Sequence, residues 1–293
     1  MDIISDIKRT FKEGSAVTRL IYVNIGMFLL VSIAGVVFYL AGRSNILPFI
    51  LSLPSDFAAI LKRPWTPISY MFLHTGFIHL FFNLLGLYWF GKLFLYRLDG
   101  DKLLSVYLLG GISGAAFYVL AFNLFPVFQS TSGLLLGASA SVYAILVAIA
   151  YYDPNNQINL SFIGTFRLKY IALFYVLLSV ILISSSNPGG NIAHLGGAFW
   201  GWFYIYQLGK GKDIGSGFVR FLDKIAMWFK DSFKAGSKMK ITHKQPPRDD
   251  REYNKMKKEE QEEVNRILEK IGKAGYDSLT KNEKEILFKQ GKK

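Results

Sequence analysis

Ser139 and His194 are chemically out of place in their surroundings. Ser139 lies in Leu135-Leu136-Gly137-Ala138-Ser139-Ala140-Ser141-Val142-Tyr143, and His194 in Asn191-Ile192-Ala193-His194-Leu195-Gly196-Gly197. Each stands where an apolar stretch begins. Polar groups at membrane depth are costly, so their presence points to function. A serine hydroxyl is a weak nucleophile until an adjacent base takes its proton, and a histidine can be that base. The two residues therefore read as the dyad of a hydrolase working inside a membrane. His79 and Asn83 are four apart, as are Ser139 and Tyr143, and each pair shares a helix face.

The elements that must position these groups are membrane helices. The 293-residue chain is 51% hydrophobic and 16% aromatic, with mean hydropathy +0.27, too apolar for an ordinary soluble domain. A bilayer-spanning helix needs about 20 largely apolar residues. Six such stretches are predicted, at 19–41, 68–92, 103–125, 135–152, 167–185 and 191–208. The expected fold is an all-α polytopic bundle of six transmembrane helices. The first stretch is too long, and lacks a small-residue cleavage site, to be a removable signal peptide.

Charge sets the expected orientation. Of the 12 Lys and Arg before residue 210, nine fall in one alternating set of segments: Lys8, Arg9, Lys12, Arg19, Lys92, Arg97, Lys102, Arg167 and Lys169. Only Arg43, Lys62 and Arg63 fall in the other set. Cytoplasmic loops carry the Lys/Arg excess, so both termini are expected in the cytoplasm. Spans two, four and six then enter from the outer side. His74, His79 and Asn83 fall in the outer half of span two, Ser139 near the outer end of span four, and His194 near that of span six. Three of the four histidines thus converge on one leaflet.

Each residue also has a structural use. Ala138, Ser139, Ala140, Ser141, Ala144 and Ala148 make a close-packing helix surface. His194, or His79 with Asn83, can serve as interhelical hydrogen-bonding groups, and Tyr143 can simply pack. What favours the catalytic reading is their joint placement at one depth.

On these motifs the chain resembles the rhomboid intramembrane serine proteases of the bacterial type over about residues 18–208. The elements are Gly137-Ala138-Ser139 with Tyr143, then His74, His79 and Asn83, and finally Ala193-His194 with Gly197 and Gly201. The resemblance implies Ser139 as nucleophile and His194 as general base, with no acidic third member. It implies that Tyr143 orients the His194 ring, and that His79, Asn83 and the Ser139 backbone N–H form the oxyanion hole. Gly137, Gly197 and Gly201 would permit close helix packing, and His74 would be structural. Ala140 stands where many members have glycine, placing a methyl at the edge of the site. The expected substrates are single-pass transmembrane proteins cut near their outer end, in the inner membrane of a bacterium. A catalytically silent relative that binds transmembrane helices for trafficking or degradation is the alternative, and the intact pair argues against it.

Other chemistries fit less well. The chain has no cysteine, which excludes disulfides and thiol nucleophiles. No His-Glu-x-x-His is present, so a zinc site is not expected. Asp153 follows Tyr152 but has no second membrane aspartate with which to share a proton. Neither cofactor nor metal is called for. The net charge of +13 reflects a tail with 22 basic and 14 acidic residues from position 210 on. Such a flank suits an anionic membrane surface and implies no nucleic acid. The oligomeric state leaves no sequence signature.

The expected organisation is a cytoplasmic segment at 1–18, the protease domain at 19–208 and an amphipathic membrane-surface helix at 209–236. A linker at 237–253 and a small helical cytoplasmic tail at 254–293 follow. In the tail Val264, Ile267, Leu268 and Ile271 form an apolar stripe, and Thr280 with Glu283 forms a capping signal.

Overall fold

The computed structural model describes residues 3–129, 131–160, 164–184, 187–234 and 250–290. Two compact units result, Met1–Lys230 and Asp231–Lys293. The first unit starts with the amphipathic α1 (Ile3–Glu13) and α2 (Ala16–Leu40). Ser15 caps α2 by accepting from the Thr18 N–H at 3.2 Å. Arg19 reaches back to donate to the carbonyls of Phe11 and Lys12, at 3.2 and 3.0 Å, satisfying groups that the end of α1 leaves open. Leu29, Leu30, Ile33, Val36 and Val37 of α2 are exposed, as hydrocarbon surroundings allow.

A long connection follows, built from α3 (Leu47–Leu51), β1 (Leu53–Pro54), α4 (Phe57–Lys62) and α5 (Thr66–Ser69). Its side chains pin it to itself. Asp56 caps α4 through the Ala59 N–H at 2.7 Å, and Trp65 Nε1 donates to the Ile50 carbonyl at 3.0 Å. Arg63 donates to the Phe49 carbonyl while its guanidinium lies 4.4 Å from the centre of the Phe49 ring.

The second long span begins later than the apolar run. A 3₁₀ turn at Tyr70–Phe72 ends at Leu73, and Leu73 and Gly76 both have extended backbone. Helix α6 therefore starts only at Phe77 and runs to Arg97. His74 consequently sits in the loop before the helix, not on its outer half as expected.

Helix α7 (Gly100–Leu124) is capped by Asp99, which accepts from the Lys102 N–H at 2.9 Å. Next comes β2 (Leu134–Leu135), paired antiparallel with β1 in the register Leu53↔Leu135 and Pro54↔Leu134. This short ladder ties the segment before Ser139 to the connection after α2. Helix α8 spans Ser139–Tyr152 and is buried over most of its length, with Tyr151 and Tyr152 exposed at its end. Its 14 residues cover about 21 Å at 1.5 Å per residue. A hydrocarbon core is about 30 Å thick, so α8 by itself is too short to cross it. At its C-terminal end Arg97 pairs with Asp153 at 2.5 Å, joining α6 to α8.

A hairpin, β3 (Gln157–Leu160) and β4 (Gly164–Arg167), leads to α9 (Leu168–Ile181). Helix α10 (Pro188–Gly209) is capped by Asn187, which accepts from the Gly190 N–H at 3.0 Å. Helix α10 packs on both α7 and α8 because small residues let the backbones approach. Added methyl groups would lie 2.0 Å from the Ala140 carbonyl oxygen at Gly197 and 2.1 Å from that of Ala144 at Gly201. Helices α2, α6 and α7 are long and apolar enough to cross a membrane. Among the described residues of this unit, strands are confined to the two short ladders.

Beyond α10 the chain turns before α11 (Ser216–Lys234), which starts later than the helix expected at 209–236; residues 235 and 236 lie outside the described residues. The turn is held by Asp213, which accepts from the Tyr204 hydroxyl at 3.0 Å and from the N–H groups of Gly215 and Ser216. Most of the expected linker, 237–249, lies outside the described residues. Its last four residues belong to α12 (Asp250–Ala274). In the second unit Val264, Ile267 and Leu279 are buried, and Glu283 accepts from both the backbone N–H and the hydroxyl of Thr280 at the start of α13 (Lys281–Gln290).

Candidate active site

Ser139 is the first residue of α8, and two features put it there. Gly137 has φ +113°, in the region that favours glycine. A methyl on Gly137 would also lie 2.7 Å from Cε1 of the His79 ring. The chain therefore turns sharply from β2 into the helix only because residue 137 has no side chain. The Gly137 N–H donates to the Tyr70 carbonyl at 2.9 Å, and the Ala138 N–H reaches Nε2 of the buried His74 at 3.4 Å. His74 thus supports the turn from behind. As the first residue of a helix, Ser139 has an N–H without a carbonyl one turn earlier to receive it.

His194 lies in the second turn of α10, opposite Ser139. Its Nε2 is 2.8 Å from Ser139 Oγ. Its ring stacks on Tyr143, with centroids 4.2 Å apart and planes within 12°. The close approach of α10 to α8 at Gly197, one turn past His194, brings two residues 55 positions apart into one hydrogen bond.

The other expected groups divide. His79 sits against Gly137, two residues before the serine, with its far side exposed. Asn83 is 6% exposed and donates from its side-chain amide to the His79 carbonyl at 2.8 Å, within its own helix. An amide nitrogen has two N–H groups, so one remains for another acceptor. The methyl of Ala140 points away from the dyad: it lies on the α7 side, where a methyl on Gly114 would come within 2.7 Å of it. It fills an interhelical contact and does not narrow the site.

Sequence reasoning missed Ser179 of α9. Its hydroxyl is 3.2 Å from His194 Nδ1 and donates to the Tyr143 hydroxyl at 3.0 Å. The only sequence signal is a serine inside the apolar run Val176-Leu177-Leu178-Ser179-Val180, which does not distinguish it from a packing residue. Among the described residues no cluster of His, Asp and Glu could hold a metal ion.

Fold and site together define an integral membrane protein, a helical bundle enclosing a serine–histidine pair. The Rhomboid domain family matches residues 61–211, just over half of the chain, and the chain belongs to the rhomboid family. A family of unknown function, DUF6576, matches residues 249–293. Among curated proteins, RHOMBOID-like protein 12, mitochondrial, of Arabidopsis thaliana is 29% identical over 151 residues. That match covers 46% of this chain and 44% of the relative, so the chain spans less than half of that protein's length.

Proposed function

We propose that the protein is an intramembrane serine endopeptidase that cuts transmembrane segments of single-pass proteins near their outer end. The observation that carries this reading is the 2.8 Å separation of His194 Nε2 and Ser139 Oγ. At that distance His194 accepts the hydroxyl proton as Oγ attacks the scissile carbonyl. The carbonyl oxygen becomes an anion facing the Ser139 N–H, the spare Asn83 N–H and the His79 ring, and each such donor contributes about 10²–10³ in rate. The positive end of α8 favours the same charge. His194 then gives its proton to the leaving amine as the carbon–nitrogen bond breaks. Water, activated by the freed His194, attacks the acyl-serine and releases the second product.

The shortness of α8, which cannot cross a hydrocarbon core of about 30 Å, supports cleavage below the membrane surface at the serine that begins it. The basic flanks support an orientation with both termini cytoplasmic and the site open to the outer side, in the plasma membrane of a bacterium.

The test uses the full chain in detergent with a fluorophosphonate probe. Labelling is expected at Ser139, is lost in Ser139→Ala and falls sharply in His194→Ala. The reconstituted protein is expected to cut a single-pass transmembrane reporter near its outer end, as located by mass spectrometry. A folded wild-type protein that fails to label between about pH 6 and about pH 9, the range around and above the ordinary imidazole value, would refute the reading in favour of a silent helix binder.

A further inference from the structure

The dyad lacks the carboxylate that usually fixes the tautomer of a catalytic histidine. To accept the Ser139 proton at Nε2, neutral His194 must carry its own proton on Nδ1. An N–H buried in a membrane bundle needs an acceptor. The polar groups next to Nδ1 form one chain across three helices. Nδ1 is 3.2 Å from Ser179 Oγ, Ser179 Oγ is 3.0 Å from the Tyr143 hydroxyl, and that hydroxyl is 3.4 Å from the Tyr175 carbonyl. Ser179 is 1% exposed, so water does not substitute for it.

The direction of this chain is determined by its last member. A carbonyl oxygen only accepts, so Tyr143 must donate to Tyr175. A phenol has one proton, so its oxygen must accept from Ser179. The Ser179 hydroxyl likewise has one proton, now spent on Tyr143, so its oxygen must accept from Nδ1–H. The opposite direction would place the imidazole proton on Nε2 and leave the Tyr175 carbonyl without this donor. That tautomer cannot act as a base toward Ser139.

We infer that Ser179 is a positioning residue that, with Tyr143 and the Tyr175 carbonyl, holds His194 in the Nδ1–H tautomer in place of a triad carboxylate. The inference rests on His194 being the base of the proposed hydrolase. When His194 takes the serine proton, the Nδ1–H bond to Ser179 becomes charge-assisted and strengthens as the barrier is approached. A neutral hydroxyl does this without burying a second charge, which a membrane interior penalises.

The experiment compares Ser179→Thr with Ser179→Val in the full chain, since the two differ by one hydroxyl at nearly equal volume. Threonine is expected to retain fluorophosphonate labelling. Valine and Ser179→Ala are expected to lower kcat and the labelling rate by about 10–100-fold, with KM little changed, the scale of one lost hydrogen bond that strengthens on charging. The ¹⁵N chemical shifts of His194 at a pH where the ring is neutral provide the second readout. They should report Nδ1–H in wild type and threonine, and a mixture or Nε2–H in valine and alanine. Equal loss in threonine and valine, or an unchanged tautomer in valine and alanine, would overturn the inference. The tautomer is a ground-state property, so it tests Ser179 even if the wild-type protein never labels. Conversely, variants that all label like wild type would remove Ser179 and leave the dyad standing.

Discussion

Gly197→Ala tests whether close helix packing builds the dyad. In place of the missing side chain, a methyl at residue 197 would lie 2.0 Å from the Ala140 carbonyl oxygen and 2.8 Å from the Ala140 carbonyl carbon. Both are backbone atoms of α8, so no rotamer change relieves the overlap. Contacts below 3.0 Å are not sustained, so α10 must retreat from α8 by about 1 Å. His194 is one turn earlier on the same helix. If it moves with Gly197, its present 2.8 Å approach to Ser139 opens beyond the 3.5 Å hydrogen-bond range. A misplacement of about 1 Å costs on the order of 10²-fold in rate, and overpacking of this kind destabilises by about 1–3 kcal/mol. The purified variant is expected to remain folded by thermal melting, with a lowered midpoint, and to label with fluorophosphonate about 10²-fold more slowly. Gly26→Ala is the control, because a methyl there meets nothing within 4 Å, and it should label like wild type. A folded Gly197→Ala protein that labels at the wild-type rate would show that the dyad does not depend on this approach.

Two further outcomes concern the C-terminal region. Removing residues 235–293 should leave labelling unchanged, since every group in the site lies before α11. Cutting after Lys210 should instead lower thermal stability, because it strips Asp213 from the buried Tyr204 hydroxyl; equal melting of the two truncations would contradict this. In the second unit the Thr280 backbone N–H, then the Lys270 ammonium and the Thr280 hydroxyl, hold the Glu283 carboxyl down to about 2 from its ordinary 4.5. A depressed carboxyl stabilises the folded form above its ordinary value and loses that contribution as pH falls towards the depressed one. Amide protection across α13 should therefore weaken between pH 4.5 and about 2, and Glu283→Gln should flatten the profile. Protection that is equally pH-dependent in Glu283→Gln would assign the effect to another group.

The sequence by itself determined which groups are available for chemistry and which stretches enter the membrane. Ser139, His194, His79 and Asn83 stand out because a polar atom in an apolar run is conspicuous whatever the fold. Gly197 and Gly201 were given as close-packing positions by the family resemblance and do meet the α8 backbone, but Gly137, expected with them, instead makes a positive-φ turn before α8. Local backbone geometry was less legible: the apolar run from residue 68 resembles one long helix. Only the extended residues at Leu73 and Gly76 place His74 in a loop beneath Ala138. Side-chain direction was not legible at Ala140, whose methyl turns to α7 because α10 occupies its carbonyl side. Ser179 was invisible altogether. A serine within a leucine-rich helix can pack without any polar role, and its contacts lie 15 and 36 residues away in sequence. Only the tertiary structure, by laying α9 beside α8 and α10, decides that this hydroxyl meets the second nitrogen of His194. A hydrogen bond depends on sub-ångström placement of elements distant in sequence, and residue spacing along one chain does not encode that placement.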